Sequence, residues 1–179
     1  MAAIVTLLAL VGYAQFSTAL APQTTANEQL SLGGEPAVAT ATLTGRASVI
    51  DGDTIEIHGV RIRLYGIDAP ESSQTCTAKG QAYRCGQQAA LALANKIGNR
   101  PVSCQAKDQD RYGRTVAVCF VAGEDINARI VKSGWALAYR RYSEQYVAQE
   151  SHAAQAKLGL WQGEFTPPWQ WRRAHAQNR

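Results

Sequence analysis

Three short runs between Leu43 and Ile67 alternate apolar and polar residues, and a glycine turn cuts each from the next. Leu43–Ile50 ends at Asp51-Gly52. Thr54–His58 carries Ile55 and Ile57 on one side, and Val60–Ile67 follows the His58-Gly59 turn with Ile62 and Leu64 in phase. A period of two sends alternate side chains to opposite faces of a strand. Turns this short join neighbouring strands, so the spacing predicts a three-stranded meander.

The order of the remaining segments narrows the architecture. The stretch from Asp68 to about Arg84 reads as a loop. Gly86–Ile97 places Ala90, Leu91, Leu93, Ala94 and Ile97 at helical spacing and stops at Gly98. Pro101–Ala106 and Thr115–Val121 read as two further strands joined through a polar turn. Asp125 can cap a helix that runs to Lys132, and Ser143 can cap another that runs to Lys157. Three strands, a helix, two strands and two helices describe an α+β fold, a five-stranded OB-type barrel with three helices. Such a barrel offers an open face to nucleic acid or sugar. This body spans residues 41–162. The tail, 163–179, is rich in Trp and Pro and is expected to pack over the body rather than to catalyse.

The first 40 residues read differently. Ile4 to Ala14 is almost wholly apolar, no charge precedes Glu28, and Ala19-Leu20-Ala21 offers a small-residue cleavage site. Residues 1–21 are therefore expected to be a signal peptide or, uncleaved, a membrane anchor. Residues 22–40 have linker composition. Either way the body is expected to be exported, secreted or periplasmic. Cysteine usage agrees: Cys76, Cys85, Cys104 and Cys119 show no zinc-like spacing. An even count in an oxidising compartment predicts two disulfides. Of three possible connectivities, Cys76–Cys85 would close a short loop and Cys104–Cys119 would cross-link two strands; this is the favoured pairing.

Charge is spread unevenly. Residues 1–45 hold Glu28 and Glu35 and no Lys or Arg, so the remainder carries all 18 basic groups against the other 12 of 14 acidic ones. A basic body favours polyanionic partners. Its charged residues gather at Asp51-Gly52-Asp53-Thr54, at Arg63 with Asp68-Ala69-Pro70-Glu71, and at Asp110-Arg111-Tyr112-Gly113-Arg114. Carboxylates at strand ends repel one another unless a cation joins them, and guanidiniums beside them call for an anion. A site that takes a divalent metal and a phosphate together is a phosphodiester site. Hard oxygen ligands select Ca²⁺ or Mg²⁺ over softer metals.

Taken in this order, with Gly134-Trp135-Ala136 and Tyr142 behind them, these motifs resemble the staphylococcal nuclease (thermonuclease) family from Leu43 to Trp161. The resemblance implies an OB barrel with three helices and one Ca²⁺ held by Asp53, Asp68 and the backbone carbonyl of Ala69. It implies that Arg63 and Arg114 bind the phosphate, that Glu71 activates water, and that Arg111, Tyr112 and Tyr142 contact substrate. The family's companion tyrosine falls on Arg140 here, with Tyr139 as its substitute. The implied activity is endonucleolytic hydrolysis of DNA and RNA with low sequence specificity, leaving 3′-phosphates. Single-stranded or unpaired regions are the expected substrates, and the enzyme is expected to act as a monomer with no protein partner. The alternatives are a non-catalytic nucleic-acid-binding OB module and an accessory cell-envelope protein. The presence of Asp53, Arg63, Asp68, Glu71 and Arg114 together favours the enzyme.

Overall fold

The computed structural model describes residues 41–176. The expected leader at 1–21 and linker at 22–40 lie outside them. In chain order the strands and helices are β1 (Thr42–Gly45), β2 (Ala47–Val49), β3 (Thr54–Ile57), β4 (Val60–Leu64), β5 (Ile67–Asp68), β6 (Cys76–Ala78), β7 (Gln81–Tyr83) and α1 (Cys85–Ile97). There follow β8 (Val102–Gln109), β9 (Thr115–Val121), β10 (Glu124–Asp125), α2 (Ile126–Lys132), β11 (Leu137–Ala138), α3 (Val147–Gln155) and α4 (Pro168–Ala176). No helix among the described residues is long and apolar enough to cross a membrane.

The first expected strand is broken. Leu43–Ile50 divides at Arg46 into β1 and β2, which pair with β8 and β3 respectively, at opposite ends of the order β1-β8-β9-β4-β3-β2. Two strands one residue apart can stand at both ends of a sheet only if the sheet curls round on itself. The break is thus the corner of a barrel. Gly45 lies there, where a Cβ would come 2.4 Å from the His58 ring. The His58-Gly59 turn has φ of 52° and 79°, the doubly positive form that suits a two-residue hairpin. It fixes the β3–β4 register and sets Arg63 opposite Thr54. β4 then pairs in parallel with β9.

Ile55, Ile57, Ile62 and Leu64 point into the barrel, where Leu93 and Ile97 of α1 and Ile126 and Ile130 of α2 meet them, all buried. Asn127, fully buried on α2, donates to the carbonyls of Tyr65 and Ala117 and accepts from the Cys119 N–H. It ties that helix to the strand ends next to the site.

Three further details differ from the sequence expectation. The segment expected to be a loop contains the β6–β7 hairpin. The helix expected from Ser143 to Lys157 is shorter, Val147–Gln155, because Ser143 Oγ accepts from the Gln145 N–H in a local turn rather than capping a helix. The tail adds a fourth helix, α4, started by Pro168 at a position where its missing N–H costs nothing. Disulfides join Cys76 to Cys85, tying β6 to the start of α1, and Cys104 to Cys119, directly opposite on β8 and β9.

Candidate active site

Asp53 stands just before β3, Arg63 on β4 and Asp68 at the end of β5, which β11 holds through the Leu137↔Asp68 pairing. Arg63 bridges the two carboxylates, Nη1 donating to Asp53 Oδ1 at 2.8 Å and Nη2 to Asp68 Oδ1 at 2.7 Å. The other Asp53 oxygen accepts from the Ala69 N–H at 2.8 Å, and Asp51 accepts from the Asp53 N–H. Ala69 can come this close because Gly52 lacks a Cβ, which would sit 2.7 Å from the Ala69 methyl.

Both aspartates are buried. Burial pushes the Asp53 carboxyl up to about 6, against the pull of Arg63, and the charges of Asp51 and Glu71 add to the rise. Burial likewise raises Asp68, offset by the hydrogen bonds from Arg172 and the charge of Arg63. The same carboxylates hold Arg63 protonated despite its burial.

Glu71 lies on the loop after Asp68, and its position is built from three directions. Its N–H donates to Gln74 Oε1, and its carbonyl accepts from the Gln74 N–H at 2.7 Å. Gln74, fully buried, donates its amide to the Thr166 carbonyl at 2.7 Å, which brings the tail to the loop. Gly86, at the start of α1, packs on the Glu71 carbonyl so closely that a Cβ there would be 1.8 Å away. The tail is held again by paired backbone bonds between Thr77 and Glu164.

These ties deliver a residue that the sequence reading assigned no role. Arg172 of α4 donates Nη1 and Nη2 to the two Asp68 oxygens at 3.0 and 2.7 Å, and Nη1 also to Glu71 Oε1 at 2.7 Å. Through Arg172 the tail completes the charged centre. The one sequence signal that could have found it is Pro168, because a helix starting there places Trp169, Arg172 and Arg173 on one face.

Arg114 lines the same cavity as Asp53, Arg63 and Glu71, which holds about 610 Å³. Its Nε donates to Asp110 at 2.7 Å, and its Nη atoms make no hydrogen bond among the described residues. Asp110 also accepts from the N–H groups of Tyr112 and Arg114. These bonds outweigh its burial and hold its carboxyl below the usual range. Arg111 and Tyr112, in the same turn, are exposed, with the Arg111 guanidinium 4.8 Å from the Tyr112 ring centre. Tyr142 is exposed on the cavity wall, edge-on to Tyr139 at 5.0 Å. Arg140 turns away to pair with buried Glu150, which also accepts from the Ala138 N–H.

All the donors around Asp53, Asp68 and Glu71 are hard oxygens, and burial leaves Asp53 only partly neutralised by guanidinium charge. That chemistry fits a hard divalent cation shared by Asp53 and Asp68 with water in the remaining positions. Among the described residues no three side chains are gathered as a ready-made metal cage.

Comparison with known proteins accords with this geometry. Residues 61–163 match the family described as staphylococcal nuclease homologue, a range that holds Arg63, Asp68, Glu71 and Arg114 but not Asp53 or Arg172. The chain is 42% identical to the succinoglycan biosynthesis protein ExoI of Rhizobium meliloti (strain 1021), over 67% of this chain and 65% of that one, just under two thirds of its length. It is 38% identical to a micrococcal nuclease of Shigella flexneri, over 70% of this chain and 78% of that one. It is 37% identical to an uncharacterized endonuclease of Haemophilus influenzae, over 73% and 72%. The barrel, the order of its motifs and these matches agree: the chain belongs to the staphylococcal nuclease homologue family, with its OB-type fold.

Proposed function

We infer that this chain is an exported, calcium-dependent nuclease that hydrolyses phosphodiester bonds of DNA and RNA by endonucleolytic cleavage, leaving 3′-phosphates. The observation that carries the reading is the convergence of Asp53 and Asp68 on Arg63, with Glu71 and Arg114 on the same cavity. Support comes also from relatives described as micrococcal nuclease and endonuclease.

Cleaving a phosphodiester brings water to an already anionic phosphorus, so the work is charge neutralisation and positioning. Asp53 and Asp68 would hold the cation, which when bound lowers the charge of the phosphate and the pKa of nearby water. Arg114 presents unbonded Nη atoms to the cavity, a fork suited to two phosphate oxygens. Arg63 lies between the aspartates and meets the phosphate on the side facing the cavity. Glu71 accepts the proton of the attacking water. These contacts go to phosphate rather than to base edges, which accounts for low sequence preference.

The test is degradation of plasmid DNA and of RNA by the full chain with Ca²⁺, with Mg²⁺ and with a chelator. Cleavage with Ca²⁺ that is lost on chelation and in Arg114→Lys is the expected result. Absence of cleavage under every condition overturns the reading.

A further inference from the structure

The turn at 139–142 and helix α4 line a cavity of about 880 Å³ beside the carboxylate centre. Glu71, Tyr112, Tyr139 and Arg172 also line the smaller cavity that holds Asp53 and Arg114, so the two spaces adjoin. On α4, Trp169, Arg172, Arg173 and Ala176 recur at helical spacing along the wall.

Its charge is one-sided. Glu71 is the only carboxylate among the lining residues, and Arg172 engages it. Arg172 and Arg140 have carboxylate partners, whereas Arg111, Arg141 and Arg173 make no ion pair among the described residues. A lone exposed arginine is ordinary; three unpaired ones in a single cavity give an anion-binding wall. Aromatic rings stand between them. Trp169 stacks on Tyr139 with centroids 5.7 Å apart and planes 16° apart, and Tyr142 meets Tyr139 edge-on. α4 lies beyond the 61–163 family match, so Trp169, Arg172 and Arg173 are supplied by the tail, with Arg111, Tyr139 and Arg141 coming from within the match.

We propose that α4 and the 139–142 turn form a binding site for single-stranded nucleic acid beside the cleavage centre. Arg141 and Arg173 hold successive phosphates, and a base stacks on the half-buried Trp169 ring where it lines the cavity. The proposal rests on the nuclease reading above, and it names where the strand runs once it leaves the cleaved bond. A basic groove interleaved with rings is the chemistry that retains unpaired strands without reading sequence. Bases in a duplex keep their faces covered and cannot stack on a side chain.

Binding is measured by fluorescence anisotropy with the full chain, a labelled thymidine dodecamer or trimer, and a chelator to prevent cleavage, across a salt series. Arg173→Ala is expected to bind the dodecamer more weakly and to lower the log-affinity against log-salt slope by about 0.7, the single-strand value for one lost phosphate contact. Trp169→Ala is expected to lose about tenfold in dodecamer affinity with an unchanged salt slope. Trp169→Phe restores much of that loss, which separates stacking from misfolding. The trimer, too short to reach both the cleavage centre and the whole α4 wall, is expected to lose less in each variant. Wild-type affinity and slope in Arg173→Ala, or a duplex dodecamer that binds as tightly and depends equally on Trp169, overturns the proposal. Plasmid cleavage by the wild type combined with that result overturns the groove and leaves the nuclease reading standing. Arg173-dependent binding without any cleavage does the reverse.

Discussion

Removing the Arg172 side chain measures how strongly the tail competes with a cation for the same carboxylate. Arg172 makes a two-pronged bond to Asp68, whose side chain is fully buried, and a third bond to Glu71. Breaking a buried pair costs roughly 3–5 kcal/mol where a charge is left alone. Here the figure is smaller, for two reasons. Asp68 keeps its 2.7 Å bond from Arg63, and Arg172 and Glu71 are 37% and 36% exposed, so water screens that arm. About 2 kcal/mol is left, roughly one charge-assisted bond pair. In Arg172→Ala the cation-free protein should therefore unfold about 2 kcal/mol more easily, by denaturant titration in chelator. A cation binding at Asp68 no longer has to displace that interaction, so calorimetric titration with Ca²⁺ should show affinity raised about 30-fold. Saturating Ca²⁺ should also stabilise the variant more than the wild type. Equal or weaker Ca²⁺ binding in Arg172→Ala would refute the argument that guanidinium and cation share one place.

Three further outcomes follow from the geometry. With chelator present, the Asp53 carboxyl, raised from 3.8 to about 6, favours the folded state while protonated; that contribution is whole below about pH 4 and is lost as pH rises through about 6. Unfolding free energy of the wild type should thus fall relative to Asp53→Asn across this range, and parallel profiles would count against it. Gly86→Ala puts a Cβ 1.8 Å from the Glu71 carbonyl, so it should cost about 2–4 kcal/mol in denaturant unfolding and displace Glu71; stability within about 0.5 kcal/mol of wild type would contradict the close packing. Replacing Cys76 and Cys85 together by Ala opens a loop of sequence separation 9 and should cost about 2–3 kcal/mol by thermal or denaturant unfolding, whereas no change would show that the bridge does not constrain the chain.

How far the fold could be read from the residues depended on the range of the forces involved. The His58-Gly59 hairpin and α1 were legible because turn chemistry and apolar period act within a few residues. The corner at Arg46 was not, since nothing local distinguishes a bent strand from a straight one; it is set by β8 and β3 pulling the two halves to different edges. Asp53, Arg63, Asp68, Glu71 and Arg114 could be singled out because their motifs match the family in order and their charges are clustered in sequence; Arg63 joins the two aspartates, and Glu71 and Arg114 share its cavity. Gln74 and Arg172 could not. A glutamine gives no signal until the tail passes over it, and Arg172 reads as one more basic residue until Thr77 and Glu164 pair and aim the helix.

The clasp that holds the tail also bears on how the molecule is made. Arg172 bonds to Asp68 across 104 residues of chain. A nascent polypeptide emerges from its N-terminal end, so Asp53, Asp68 and Glu71 are outside the ribosome well before their second guanidinium exists. The barrel cannot close before β9 ends at Val121, and at about 5–20 residues per second the interval of roughly 50 residues from there to Arg172 lasts on the order of three to ten seconds. During it the barrel must tolerate a carboxylate cluster balanced by Arg63 alone. Completion of the charged centre is therefore among the last steps of biogenesis rather than an early one, and the arginine between the two aspartates is what lets the barrel form without waiting for it.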